Sequence, residues 1–195
     1  MLIIGNGESR KGINLNNIKE IKIGCNAIFR DFEVNHLVCV DKRMLKEVFE
    51  ISFEDRPKIW SRKEHYDLYN LEHKLRILPD IPYPGMDRWD LPAHWGAGPY
   101  AVLLGAKYSK EKKVKLIGFD LYSKNKLINN IYKGTKNYAE AEKPAVDPRY
   151  WIYQISKIFE CFADVEFTVY AEENWELPKS WKKFNVSLDK ISNIV

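Results

Sequence analysis

Several short polar clusters in this 195-residue chain carry residue types that could do chemistry. Gly5-Asn6-Gly7-Glu8-Ser9 directly follows the apolar run Leu2-Ile3-Ile4. Its glycines let the backbone approach a ligand closely, Asn6 offers both a donor and an acceptor, and Ser9 adds a hydroxyl suited to a phosphate. The cluster lacks the third glycine of a dinucleotide fingerprint and the Gly-Lys-Ser/Thr of a P-loop, so a plain tight turn is the competing reading. Asn26, after Gly24-Cys25, can read a base or ribose edge or simply form a turn. Asp41 can hold a ribose hydroxyl or cap the helix that follows it. His94-Trp95-Gly96-Ala97-Gly98 opens an apolar helix whose first amides would favour an anion. Gly118-Phe119-Asp120-Leu121-Tyr122 presents a carboxylate and a phenol together, and Asp120 can orient a ligand or cap a helix.

The elements that would carry these clusters alternate in type. Short apolar runs at 2–4, 21–23, 37–40, 58–60, 75–78, 114–117 and 165–169 read as strands buried on both faces. Between them, 42–53 has apolar residues at helical spacing, 98–107 reads as a helix packed on most sides, and Asp147-Pro148 opens a helix through 162. Strand–helix alternation predicts a single Rossmann-like α/β domain over 1–195, with a mostly parallel sheet and helices on both faces. In such sheets ligands bind where strand carboxyl ends meet a topological switch, which is where the polar clusters fall. The Pro-rich stretch 79–92 is expected to be a surface loop or a lid. The polar, Lys- and Asn-rich stretch 123–146 is expected to be a partly ordered, lid-like insertion over the site, its lysines a solvated face. The tail beyond 171, with Trp175, Leu177, Trp181 and Phe184, can pack on the core or on a partner, leaving a homo-oligomer open.

Composition narrows the function classes. The chain is 45% hydrophobic and 30% charged, with 31 Lys plus Arg against 27 Asp plus Glu, so a packed core is expected and disorder is not. A net charge of +4 spread along the chain is not the basic stripe of a nucleic-acid binder. No apolar run approaches the ~20 residues of a membrane span, and no basic and apolar leader precedes a cleavage site. Cys25, Cys39 and Cys161 form no CxxC pair, and the four histidines lack ligand spacing, so neither disulfides nor a metal site are expected. A reducing cytoplasm fits this cysteine usage.

The segments 2–9, 24–26, 97–105 and 116–122, taken in order, resemble the bacterial sialyltransferases of the Campylobacter type and the wider Rossmann-like proteins that share their GNGPS start. The resemblance implies a glycosyltransferase that takes a CMP-activated sugar and displaces the nucleotide directly, without a metal or other cofactor. It implies donor contacts from Asn6, Ser9, Asn26 and Asp41, from Ala97 and Gly98, and from Gly118 beneath the base; the residue types add Gly5, Gly7 and Asp120 to the same site. Tyr122 and Tyr132 would steady the leaving phosphate. Glu8 stands where the family has proline, and Ala97 lacks the family's hydroxyl. No histidine follows His94, although the family's general base precedes its last long helix. Asp147 with a raised pKa, or His94 reaching in, would have to take the acceptor's proton, and Arg149 could neutralise a phosphate. Two other readings keep the crevice. One is diphosphate transfer of the pterin pyrophosphokinase-like kind, with Mg²⁺ held by Asp41 and Asp120. The other is a nucleotide-binding module without catalysis.

Overall fold

A computed structural model describes residues 1–85, 88–123 and 125–194, with Pro92 described in its backbone alone. Met86 and Asp87 of the expected Pro-rich loop, and Lys124 of the expected insertion, lie outside the described residues. The described residues form one eight-stranded sheet, parallel throughout. In chain order the elements are β1 (Leu2–Ile4), β2 (Lys22–Cys25), β3 (His36–Val38), α1 (Lys42–Val48), β4 (Lys58–Ser61), α2 (Lys63–His73), β5 (Arg76–Ile77), α3 (Ala97–Tyr108), β6 (Lys113–Ile117), α4 (Arg149–Cys161), β7 (Glu166–Ala171) and β8 (Val186–Lys190). The spatial order is β5-β4-β3-β2-β1-β6-β7-β8. Winding therefore proceeds outward from β1 to one edge, returns through α3, and proceeds outward from β6 to the other. The architecture is a Rossmann-like α/β fold with its switch between β1 and β6.

The strands form because their side chains are buried on both faces. Leu2, Ile3 and Ile4 are each fully buried, and alternate residues enter different cores. Ile3, Ile23, Val38 and Leu116 pack under α3 and α4, whereas Leu2, Ile4, Leu37 and Ile59 pack with α1 residues Met44, Leu45 and Val48. Each such side chain contributes roughly 1.5–3 kcal/mol by leaving water. α3 lies across the sheet, touching β1, β2, β3 and β6, and its buried Gly105 lets it approach Ile3. α4 packs beside α3 through Ile155, Ile158 and Phe159.

Two elements depart from the expectation. α2 was not legible because its inward residues are His65, Tyr66 and Tyr69, while Leu68 and Leu71 are exposed. β8 adds a strand in the tail, and Trp181, fully buried, donates its indole N–H to the Ile152 carbonyl at 3.0 Å. The tail thus packs on the core. The 123–146 segment is also more structured than expected. Leu127 and Pro144 form an antiparallel bridge, and the Ile131 amide donates to the Asn6 carbonyl at 2.9 Å. The Arg30 guanidinium, paired with Glu47 at 2.7 Å, also donates to Thr135 Oγ1 and the Lys136 carbonyl, each at 2.8 Å. Its lysines are not all a free solvated face, since Lys133 pairs with Glu8 at 2.8 Å and Lys136 with Glu50 at 3.5 Å. Among the described residues no helix is long and apolar enough to cross a membrane.

Candidate functional site

The carboxyl ends of β1, β2, β3 and β6, with the first turn of α3, surround a crevice of about 480 Å³ roofed by residues between 128 and 146. At its floor the ends of β1 and β6 come together so closely that only glycine fits. A Cβ on Gly5 would lie 2.4 Å from the Gly118 carbonyl oxygen, and Gly118 itself has φ +70°. Arg10, buried behind this turn, donates from Nε to the Gly5 carbonyl at 2.7 Å and braces it.

Asn6 and Asn26 project polar atoms here. Asn6 Nδ2 donates to the Cys25 carbonyl at 3.3 Å and to the Tyr138 hydroxyl at 3.1 Å. Its Oδ1 is buried without a hydrogen-bond partner, and so is Oδ1 of Asn26. Asn26 starts a short 3₁₀ turn (Asn26–Arg30) with φ +49°, a left-handed conformation that Asn tolerates better than most residues. Ala97 and Gly98 line the crevice at the start of α3, whose N-cap Gly96 supplies no side-chain cap. A helix start suits an anion, and this one lines the crevice. The Phe119 ring and Trp151 close in on the same turn, 3.5 Å and 3.3 Å from where Cβ atoms on Gly98 and Gly96 would sit.

Two carboxylates line the wall, each with a local partner. Asp120 accepts from the Ser9 amide at 2.9 Å and from the Ser9 hydroxyl, with Gly7 packed against its carboxylate. Asp120 and Ser9 are thus bound to each other, and Ser9 does not line the crevice. Asp41 caps α1, accepting from the Arg43 amide at 2.8 Å, and pairs with the Arg43 guanidinium at 3.1 Å. Burial would raise its pKa, but the Arg43 hydrogen bonds prevail and hold it below the ordinary carboxylate value. Among the described residues no group of three or more His, Cys, Asp or Glu is placed to hold a metal.

Several expected residues stand elsewhere. Asp147 lies on the surface, where hydrogen bonds from Arg149 Nε at 2.7 Å and the Arg149 amide lower its pKa, the opposite of what a general base needs. Arg149 is committed to that pair and lines a different groove. His94 ends a 3₁₀ turn, its carbonyl accepting from Gln154 and its ring 6.5 Å from Tyr150, outside the crevice wall. Tyr122 is exposed beside Trp175. Tyr132 is buried, donating to Asp31 at 2.6 Å and accepting from Arg10 at 3.0 Å; burial first, then Asp31, raises its pKa. Glu8 turns away from the crevice to Lys133, which removes the conflict between its charge and an anion.

Tyr138 and Cys25 are among the wall residues that were not anticipated. Tyr138 sits in the polar segment, where its neighbours give no periodic signal, and its hydroxyl accepts from Asn6 Nδ2 and from the Ala27 amide at 3.4 Å. Cys25 lines the wall with its thiol pushed up to about 12 by burial, against the opposing field of Arg10, so it is a neutral thiol and not a nucleophile. Comparison with protein-family models, with curated proteins and with solved structures found no match to this chain.

Proposed function

We propose that the crevice binds a nucleotide-linked sugar in the manner of the sialyltransferase-like proteins, with a CMP-linked sugar as the ligand class and no metal. The observation that carries this reading is the pair of buried, unpartnered Asn6 and Asn26 carbonyl oxygens at a topological switch, in one crevice with the uncapped start of α3. The amide oxygens suit base amino or ribose hydroxyl hydrogens, and the helix start suits a phosphate. Tyr138 takes the place in the wall that the resemblance implies for Tyr122 and Tyr132.

Thermal-shift measurements with CMP, CDP, UDP, GDP and a nucleoside triphosphate, with and without Mg²⁺, test the proposal. A CMP shift independent of Mg²⁺ is expected. A shift confined to a nucleoside triphosphate with Mg²⁺ would favour diphosphate transfer, and no shift with any nucleotide would refute nucleotide binding. A second reading, transfer of the sugar by direct displacement, is favoured by the roof. Ile128, Tyr138, Ala139 and Val146 cover the crevice, and water exclusion protects an activated sugar from hydrolysis. Its test is release of CMP from a CMP-sugar that accelerates when an acceptor saccharide is added.

A further inference from the structure

α4 borders two cavities. Trp151 and Ile155 line the crevice, whereas Arg149, Ile152, Tyr153, Ser156, Lys157 and Glu160 line a separate groove of about 380 Å³. Those six positions fall at i, i+3, i+4, i+7, i+8 and i+11, a single stripe that runs roughly 16 Å along the helix. Segments distant in sequence flank its two ends. Near Arg149 the Trp89 ring stands 4.8 Å from that of Tyr150 and 5.3 Å from that of Tyr153. Near Glu160, Phe184 of the tail lines the groove, its ring 6.4 Å from that of Phe159. An aromatic ring thus stands at each end of the stripe.

The groove is also positively biased. Arg149, Lys157 and Lys183 line it against Glu160 alone. Lys157 pairs with Glu160 at 3.0 Å, and Arg149 pairs with Asp147 outside the groove. Lys183 lies over the Phe184 ring at 4.8 Å and has no carboxylate partner among the described residues. Aromatic rings offer flat apolar faces on which the C–H face of a sugar ring can lie, and Trp and Tyr do so with little rotamer freedom to lose. A long, narrow stripe suits several such rings in a row better than one. A cation without a partner of its own suits a carboxylate or sulfate, with the modest gain of an exposed pair. The first turn of α4 places Trp151 in the crevice and Arg149 and Ile152 in the groove, so a chain lying in the groove has one end at the turn that borders the crevice.

Resting on the sugar-transfer reading above, we infer that this groove holds the acceptor, an oligosaccharide carrying an anionic group that Lys183 receives. In the transfer, the acceptor's hydroxyl oxygen at the Trp151 end bonds to the anomeric carbon. The bond from that carbon to the phosphate oxygen breaks with its electron pair on CMP, and the hydroxyl proton goes to solvent.

Fluorescence titration of the full chain with trigalacturonic acid and with its uncharged trimethyl ester, both without nucleotide, tests the inference. The acid is expected to bind ~3-fold tighter at low salt, as an exposed ion pair allows. That preference should fade at about 1 M NaCl, where charges are screened within ~3 Å. Lys183→Gln should bind both forms equally, and Trp89→Ala should weaken both at least ~10-fold while keeping the CMP thermal shift. With a CMP-sugar present, the acid should accelerate CMP release more than the ester does, and Lys183→Gln should remove that advantage. Equal binding of acid and ester to the unmodified protein would overturn the inference. So would binding that both variants leave unchanged, or tighter binding of a triglutamate peptide than of the acid. CMP binding without saccharide binding in the groove would refute this inference alone. Saccharide binding without CMP-sugar binding would refute the nucleotide reading and, with it, the acceptor role.

Discussion

Gly118→Ala tests the geometry on which the crevice depends. Gly118 has φ +70°, and a Cβ there would lie 2.7 Å from the Gly5 carbonyl oxygen and 3.1 Å from Arg10 Cδ. The left-handed conformation costs an alanine about 1–2 kcal/mol. Forcing the Gly5 peptide away from the methyl, and from its Arg10 hydrogen bond, adds about 1–3 kcal/mol of the kind seen on overpacking. The expected loss is about 3 kcal/mol, or roughly 6–12 °C in Tm for a chain of this size. Gly12→Ala separates the two contributions. Gly12 has φ +82° with nothing within 4 Å of its would-be Cβ, so it should lose the conformational part alone. Urea unfolding of both variants gives the comparison. Equal losses, or a loss below about 1 kcal/mol for Gly118→Ala, would refute the claim that β1 and β6 close together at a glycine-only contact.

Asn26→Gly should keep the left-handed backbone, leave the ligand-free Tm within about 2 °C, and abolish the CMP thermal shift. Arg30→Ala removes the clamp on Glu47, Thr135 and Lys136, so roughly 2 kcal/mol should be lost and limited proteolysis should cut within 130–140. Stability should fall as the pH drops below about 6.5, because burial, joined at His36 by Lys58 and Arg76, depresses the pKa of His36 and His65 below that value. The unfolded chain then binds more protons than the native one, and protonated His36 can no longer accept from the Trp60 indole, 3.0 Å away. Denaturant titrations at pH 7.5 and 5.5 check the sign, and His36→Asn, which retains an acceptor, should shrink the difference. A thiol reagent should label Cys161 quickly in the native protein, and label Cys25 and Cys39 only on unfolding, because both are buried.

The strands were readable because burial on both faces leaves a continuous apolar run, as in Leu2-Ile3-Ile4 and Leu37-Val38. The clustering of Gly5, Asn6, Asn26, Asp41, Gly98, Gly118 and Asp120 followed from the same pattern, since each stands at a run's carboxyl end or at the start of α3. What residue type alone does not reveal is which partner a polar group finds. Asp120 turns to Ser9, Asp147 to Arg149, and Tyr132 to Asp31 and Arg10, each a contact made on folding. Tyr138 reaches Asn6 across 132 residues, a distance that no local spacing records.

The central claim is that this rim grips a nucleotide, and an amide ¹H–¹⁵N titration with CMP tests it most directly. Resonances of Asn6, Asn26, Gly98 and Tyr138 are expected to move together with one saturation curve. Unmoved resonances at these positions, or shifts gathered instead in the groove formed by Trp89, Tyr153 and Phe184, would contradict it.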